Sequence, residues 1–162
     1  MKLELMPTEL PLWLIGAMED IGVKEVDGPG NDARVLEYHS HTGLWSRDSV
    51  PWCGSAVETW LVEAGFKGLG RKGALARNWK GWGRPAKGEL GAVCVLRRRK
   101  EGPDARTGSK FGYHVGIYLN MSRGGVAMVS GNASDRVGVD VYSKRQYEVY
   151  AMRMPIGYYV KT

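Results

Sequence analysis

Ser49-Val-Pro-Trp-Cys53-Gly-Ser-Ala-Val-Glu-Thr-Trp-Leu61 predicts a helix with a cysteine in its first turn. Asp48 or Ser49 can cap the free backbone amides, and Pro51 suits the first helical position. Gly65 stands where glycine commonly ends a helix. One face would be buried, because apolar residues recur at the helical period at Ala56, Val57, Trp60, Leu61 and Ala64.

Cys53 has two interpretations. A thiol at a helix N-terminus lies at the positive end of the helix dipole, which favours the thiolate and makes Cys53 a candidate nucleophile. The alternative is a small apolar filler, because free cysteine is among the most buried residue types.

The composition is that of one globular domain, residues 1–162, with 43% hydrophobic and 25% charged residues. Lys and Arg exceed Asp and Glu by 23 to 17, which gives a formal charge of +6. This excess favours contact with an anionic polymer such as nucleic acid, anionic lipid or the bacterial wall. The densest run is Arg97 to Lys100, although such a run is more often a solvated loop.

Cofactors and metals are not expected. Cys53 and Cys94 form no CxxC or Cys/His spacing, and His39 and His41 point different ways on a helix. A disulfide between the two cysteines is the arithmetic alternative, and no role is indicated for Cys94. The apolar run from residue 12 to 18 is short and lacks a basic leader, and no segment reaches the length of a membrane span. We expect synthesis in the cytoplasm without a signal peptide.

Helices are predicted in residues 11–82, after a loosely ordered lead-in over residues 1–10. The first helix begins at Pro11 and runs through Gly22, and the second covers Ala33 to about His39. The Cys53 helix follows, and a fourth helix covers residues 74–79. The inward-facing residues are expected to be Leu14, Ala17, Met18 and Ile21 in the first helix, and Leu75, Trp79 and Trp82 around the fourth.

Strands are predicted in residues 90–154. The apolar runs cover residues 91–96, 113–119, 125–130, 137–142 and 147–152. The short separations between them favour an antiparallel sheet of about five strands. Helices followed by strands predict an α+β fold, with the helices packed on one face of the sheet.

His114 is the better placed partner for a catalytic thiol, because it begins a predicted strand. A thiolate enzyme needs an imidazole that takes the thiol proton and later protonates the leaving amine. The alternative is a hydrogen-bonded histidine in a strand. The imidazole also needs an acceptor on its far nitrogen, for which Asn132 and Asp135 are candidates, although Gly-Asn-Ala-Ser-Asp is also an ordinary turn.

Several blocks together resemble the CHAP and NlpC-type cysteine peptidases. The blocks are Pro51-Trp-Cys-Gly-Ser-Ala-Val57, Gly91-Ala-Val-Cys-Val95, Gly112-Tyr-His-Val-Gly-Ile-Tyr118 and Ser130-Gly-Asn132. Residues 28–31, 36–39 and 42–44 are similar to a compact phage and prophage branch, so the resemblance runs from about Trp13 to Met154. It implies a papain-like core, with Cys53 as nucleophile, His114 as base and acid, and Asn132 as the orienting residue.

The resemblance also has two departures and two further candidates. Gly54-Ser55 departs from a common Ser followed by Ser or Ala, which is expected to be harmless. Residues 133–135 depart from a more amide-rich run, which leaves the third catalytic residue open between Asn132 and Asp135. Tyr38 could donate to the oxyanion or be a core tyrosine, and Trp52 could line a substrate groove or be packing.

The function implied by the resemblance is cleavage of peptidoglycan, at an amide bond of the stem peptide or at the muramoyl–peptide bond. A monomeric phage lysis enzyme, released through a holin, a tail or a secretion machine, is expected, with contact to anionic wall or outer-membrane polymers. The alternatives are a secreted antibacterial amidase effector, a deubiquitinase-like or transglutaminase-like hydrolase, and a non-catalytic basic module that binds through Arg97 to Lys100. Nucleic acid is not expected as a partner, since no recognised motif for it is present.

Overall fold

A computed structural model describes residues 10–26, 30–43 and 51–159, and these form an α+β fold, as predicted. The helices are α1 (Leu12–Glu19), α2 (Ala33–His41) and α3 (Cys53–Glu63), followed by two 3-10 segments, Gly70–Ala74 and Ala76–Gly81. The strands are β1 (Arg84–Pro85), β2 (Val93–Arg98), β3 (Tyr113–Ser122), β4 (Gly125–Ala133), β5 (Arg136–Tyr142) and β6 (Tyr147–Met154).

The strands form one antiparallel sheet in the order β1-β6-β2-β3-β4-β5. Each of the five predicted strands overlaps one of β2 to β6. The expected number of about five becomes six, because the two-residue strand β1 pairs with the end of β6. Two residues are too few to show an alternating pattern, so no periodicity in the sequence indicates β1.

The α3 helix has the predicted face and end, and Cys53 lies in its first turn as predicted, but Pro51 is not its first residue. Ala56, Val57, Trp60 and Leu61 are buried, and Gly65 has a φ of +89° just after the helix. Trp52 is the N-cap and has no side-chain capping bond, and Cys53 is the first helical residue. The prediction that Pro51 takes this first position is therefore wrong, and the predicted caps Asp48 and Ser49 lie outside the described residues.

The other helices differ from prediction in extent and in exposure. The α1 helix ends at Glu19 and buries Trp13 beside the expected Leu14 and Ala17, whereas Met18 and Ile21 are exposed. The α2 helix starts as predicted, because the Asp32 carboxylate accepts the amides of residues 34 and 35. The predicted fourth helix is instead a pair of 3-10 segments; Trp79 and Trp82 are buried as expected, but Leu75 is 44% exposed.

The core holds α3 against the sheet, across β3 and β4, while α1 and α2 pack against α3. Four fully buried tryptophans fill this region, and each indole N–H has an acceptor. The pairs are Trp13 with Gly91 O at 2.7 Å, Trp52 with Glu25 at 2.7 Å, Trp60 with Asp20 at 2.9 Å, and Trp79 with Gly73 O at 2.9 Å. This packing fixes where the start of α3 meets β3.

In the described ranges, no helix has the length and apolar character needed to cross a membrane.

Candidate active site

Cys53 begins α3 and lines a cleft. Its side chain is 6% exposed, and the backbone amides of Val115, of Gly54 and of Cys53 itself lie close enough to the sulfur to lower the pKa of the thiol against the larger effect of burial. The nearby Val115 amide places the sulfur beside the residue that follows His114. The fold thus brings the Cys53 sulfur beside the backbone of β3 one residue beyond His114, which is 61 positions later in the chain, but the His114 ring makes no hydrogen bond to the sulfur and does not line the cleft.

The cleft has a volume of about 350 Å³ and two walls. Residues of 71–77, in and between the 3-10 segments, line one wall. Residues of 107–113, from the loop before β3 and the first residue of that strand, line the other. Cys53 and Pro51 contribute from the start of α3. Cys94, in contrast, is fully buried in β2 and is a free thiol. Of the two cysteines, Cys53 is the one that a molecule in the cleft can reach.

Gly54 allows the start of α3 to lie against one wall of this cleft. A Cβ atom at this position would be 2.1 Å from the carbonyl oxygen of Gly73 and 2.9 Å from that of Ala74. Both atoms belong to backbone, so the clash could be relieved only by moving the wall or the helix. The glycine that departs from the resembled pattern is therefore required in this chain by close packing.

His114 is fully buried on β3 and has hydrogen-bond partners on one side of its ring. Nε2 lies 2.9 Å from Ser130 Oγ and 3.2 Å from the Tyr142 hydroxyl, and these two oxygens lie 3.2 Å apart. Nδ1 is buried and has no hydrogen-bond partner among the described residues. If Nε2 carries the proton and donates it to Ser130, Nδ1 is left as a free base.

The environment keeps both groups neutral. Burial, opposed by the carboxylates of Asp104 and Asp140 and aided by Arg106, lowers the pKa of His114 to about 4. Burial raises the pKa of the Cys53 thiol, and the backbone amides that point at the sulfur oppose this effect. Without substrate, the pair therefore rests as a thiol and a neutral imidazole rather than as an ion pair.

Asn132 does not make the hydrogen bond expected of it. Its amide nitrogen donates to the carbonyl oxygen of Thr107 at 3.0 Å, which fastens the loop wall of the cleft to β4. Asp135, the competing candidate, lies exposed in the two-residue turn between β4 and β5. In the structure the position beside His114 Nε2 is occupied by Ser130, two residues before Asn132.

The strand register explains this difference. Ile117 pairs with Val129, so Ser130 comes next to Gly116, where a Cβ atom would lie 2.7 Å from that of Ser130. The missing side chain at Gly116 leaves room for Ser130 on the strand that carries His114. Beyond Ser130 the pairing with β5 is irregular, and Asn132 has a φ of +59°. The sequence signals for Ser130 were the Gly two residues after His114 and the Ser before Gly131.

Tyr38 and Trp52 are core residues, which corrects their candidacy as oxyanion or substrate contacts. Both are fully buried, and their rings stack with centroids 5.6 Å apart. The Tyr38 hydroxyl donates to Asp20 at 2.5 Å, and the Trp52 indole donates to Glu25. Neither polar atom is available to a molecule in the cleft.

The remaining histidines and the basic run lie outside the cleft. His41 Nδ1 is close to the Glu37 carbonyl oxygen at 3.0 Å, and His39 is buried on α2. Within the described ranges, no three His, Cys, Asp or Glu residues are grouped so as to hold a metal ion. Arg97 and Arg99 lie 3.9 and 3.6 Å from Glu148, and Arg98 lies 3.8 Å from Asp104. Carboxylates thus offset part of the charge of this run.

Comparison with known proteins gave no match: no family model, no curated protein and no solved structure matches this chain.

Proposed function

We propose that the protein is a cysteine hydrolase with a papain-like core, which cleaves an amide bond of peptidoglycan in the stem peptide or at the muramoyl–peptide junction. The observation that carries this proposal is the position of Cys53. Its thiol lies at the start of a helix, lines an open cleft, and is close to the backbone amide of the residue that follows a buried histidine. A thiol and an imidazole so placed are the two groups that acyl transfer requires.

The first step is attack by sulfur on the carbonyl carbon of the scissile amide. His114 Nδ1, which is a free base when Nε2 carries its proton, accepts the thiol proton as the sulfur attacks. The backbone amides of Cys53 and Gly54, at the start of α3, are donors for the oxyanion that forms. The C–N bond breaks as His114 returns the proton to the leaving amine, and an acyl-enzyme remains on Cys53.

The second step is hydrolysis of this acyl-enzyme. His114 takes a proton from water as the water oxygen attacks the thioester carbonyl, the C–S bond breaks to release a carboxylic acid, and His114 returns the proton to the sulfur. Ser130 holds the ring during both steps through its bond to Nε2, and Tyr142 is a second partner for the same nitrogen. Ser130 therefore takes the orienting role that the resemblance implies for Asn132.

Lysis of a bacterial host by a phage is the setting we favour, and a secreted antibacterial effector would use the same chemistry. A small cleft with an apolar lining suits a short peptide. The basic balance of the whole chain, +6, would attract anionic wall or outer-membrane polymers.

The test is release of peptides from purified peptidoglycan sacculi, followed by mass spectrometry. The wild-type protein is expected to release fragments with a new amine end, and Cys53→Ala and His114→Ala are expected to release none while remaining folded by circular dichroism. Cys94→Ala is the matched cysteine control, because Cys94 is buried away from the cleft. Release by Cys53→Ala, or no release by the wild type, would contradict the proposal.

A non-catalytic basic module is the competing function. It would place affinity for an anionic polymer in Arg97 to Lys100, yet three of these arginines lie beside carboxylates. Its expected signature is polymer binding that falls steeply with salt and is unaffected by alkylation of Cys53. If sacculi are bound in this way without any cleavage, the module replaces the hydrolase.

A further inference from the structure

Both walls of the Cys53 cleft carry positively charged side chains and exposed apolar side chains. Arg71 and Arg77 line the 3-10 wall, and Lys110 lines the loop wall. These cations line a cleft to which no Asp or Glu of the described residues contributes. None of the three takes part in an ion pair within the described ranges, in contrast to the arginines of the 97–99 run.

Each wall also exposes a large apolar side chain. Leu75 is 44% exposed on the 3-10 wall, and Phe111 is 74% exposed on the loop wall. Large apolar residues so exposed at a cleft commonly mark a binding surface. The sequence prediction that Leu75 faces the core is wrong, because Leu75 is exposed on the wall of the cleft.

We propose that this cleft selects substrates that carry a free carboxylate close to the scissile amide, held by Arg71, Arg77 and Lys110, while Leu75 and Phe111 contact small aliphatic groups. This inference rests on the proposed function. Peptidoglycan stem peptides fit it, because residues joined through their side chains keep a free backbone carboxylate next to alanine methyl groups. A carboxylate that is converted to a carboxamide loses the charge and keeps nearly the same shape.

The experiment compares muramoyl-tetrapeptides with diaminopimelate as third residue in four forms. The forms differ at two carboxylates, that of the γ-linked glutamate and that of the diaminopimelate side chain. One form has both carboxylates free, two forms have one of them amidated, and the fourth has both amidated. We expect amidation of one of the two to lower kcat/KM about tenfold, as exposed charge pairs around one anion are worth a few-fold each. Raised salt is expected to reduce this difference.

The variant Arg71→Gln/Arg77→Gln/Lys110→Gln is expected to lose about tenfold in kcat/KM on the carboxylate form and less than about twofold on the amidated form. The matched control is Lys87→Gln/Arg123→Gln/Arg145→Gln, which removes the same charge from exposed positions outside the cleft. It is expected to treat the four forms as the wild type does. Equal cleavage of all four forms by the wild-type protein overturns the inference.

Binding separates this inference from the proposed function. The Cys53→Ala protein is titrated with the same four peptides by calorimetry, which needs no cleavage. Tighter binding of the carboxylate form, lost in the variant that also carries the three cleft substitutions, supports the inference even if no peptide is hydrolysed by the wild type. Equal affinity for all four forms overturns it, whether or not the wild type is a hydrolase.

Discussion

Ser130→Ala tests the assignment of the residue that orients His114. The substitution removes the hydroxyl that lies 2.9 Å from His114 Nε2, and leaves the Tyr142 hydroxyl at 3.2 Å as the remaining partner. A buried polar group that loses a hydrogen bond costs about 1–3 kcal/mol. Because Tyr142 compensates in part, we expect the less well aligned ring to raise the activation free energy by about 1.5 kcal/mol. This corresponds to a fall in kcat of about tenfold.

The assay is the rate of peptide release from sacculi, with kcat and KM measured separately on a soluble muropeptide. We expect kcat to fall and KM to stay near its wild-type value, because Ser130 is buried and does not line the cleft. In Ser130→Ala/Tyr142→Phe both partners are lost, and kcat is expected to fall about a hundredfold.

Two matched variants make this prediction refutable. Ser55→Ala removes a buried hydroxyl that lies 2.8 Å from Thr42 Oγ1, so its cost in stability is similar but kcat should not change. Asn132→Ala removes the bond to Thr107 and puts alanine at a φ of +59°, so it should lower stability more than kcat. If kcat survives Ser130→Ala but falls about tenfold in Asn132→Ala, the assignment to Ser130 is refuted.

Three further predictions concern stability. First, His114 has a pKa of about 4 when folded, against 6.5 when unfolded, so its contribution is complete above about pH 6.5 and is lost as the pH falls toward 4. Over that window, the free energy of unfolding measured with urea should fall by about 3 kcal/mol more in the wild type than in His114→Gln. Equal falls in the two proteins would contradict this. Second, Gly54→Ala should lower the free energy of unfolding by about 2 kcal/mol or more, because its Cβ would meet the Gly73 oxygen. Gly81→Ala, with no described atom within 4 Å, is the control, and equal melting temperatures would count against the close contact. Third, Glu58 accepts the amides of Leu69 and Gly70, each at 2.8 Å, and Gln has only one acceptor oxygen for them. In thermal unfolding, Glu58→Gln should lower the free energy of unfolding by about 2 kcal/mol, which is more than Glu63→Gln at an exposed position of the same helix. An equal loss in the two variants would contradict the role of Glu58 as acceptor of the two amides.

The parts of the fold that follow from local patterns could be read from the sequence. The apolar stripe of α3, the Asp32 cap of α2 and the strands β2 to β6 each depend on residues close together in the chain. Wrong details arose where tertiary packing decides. Pro51 was a good first helical residue by propensity, but the described helix begins at Cys53, after Trp52. The 3-10 form of the segment around Leu75 likewise depends on its contacts with Gly54 and the cleft.

The roles of Cys53 and His114 stay predictions, and the surroundings of these residues could be read from the sequence only in part. Cys53 and His114 are candidates by residue type, because a thiol and an imidazole can serve as nucleophile and base. The fold places the Cys53 sulfur beside the residue that follows His114. Ser130 is identified only by the register of β3 against β4 and by the irregular pairing that follows it. Arg71, Arg77 and Lys110 are ordinary cations in the sequence, and only the two walls of the cleft bring them into the same cleft as Cys53.

The central claim is that the Cys53 sulfur forms an acyl-enzyme with a peptidoglycan fragment. The most direct measurement is intact-protein mass spectrometry after the protein is mixed with a soluble muropeptide and quenched in acid within milliseconds to seconds. We expect an adduct with the mass of the acyl fragment, located on Cys53 by peptide mapping and lacking in Cys53→Ala. Peptide release by the Cys53→Ala protein, or an adduct on another residue, would contradict the claim.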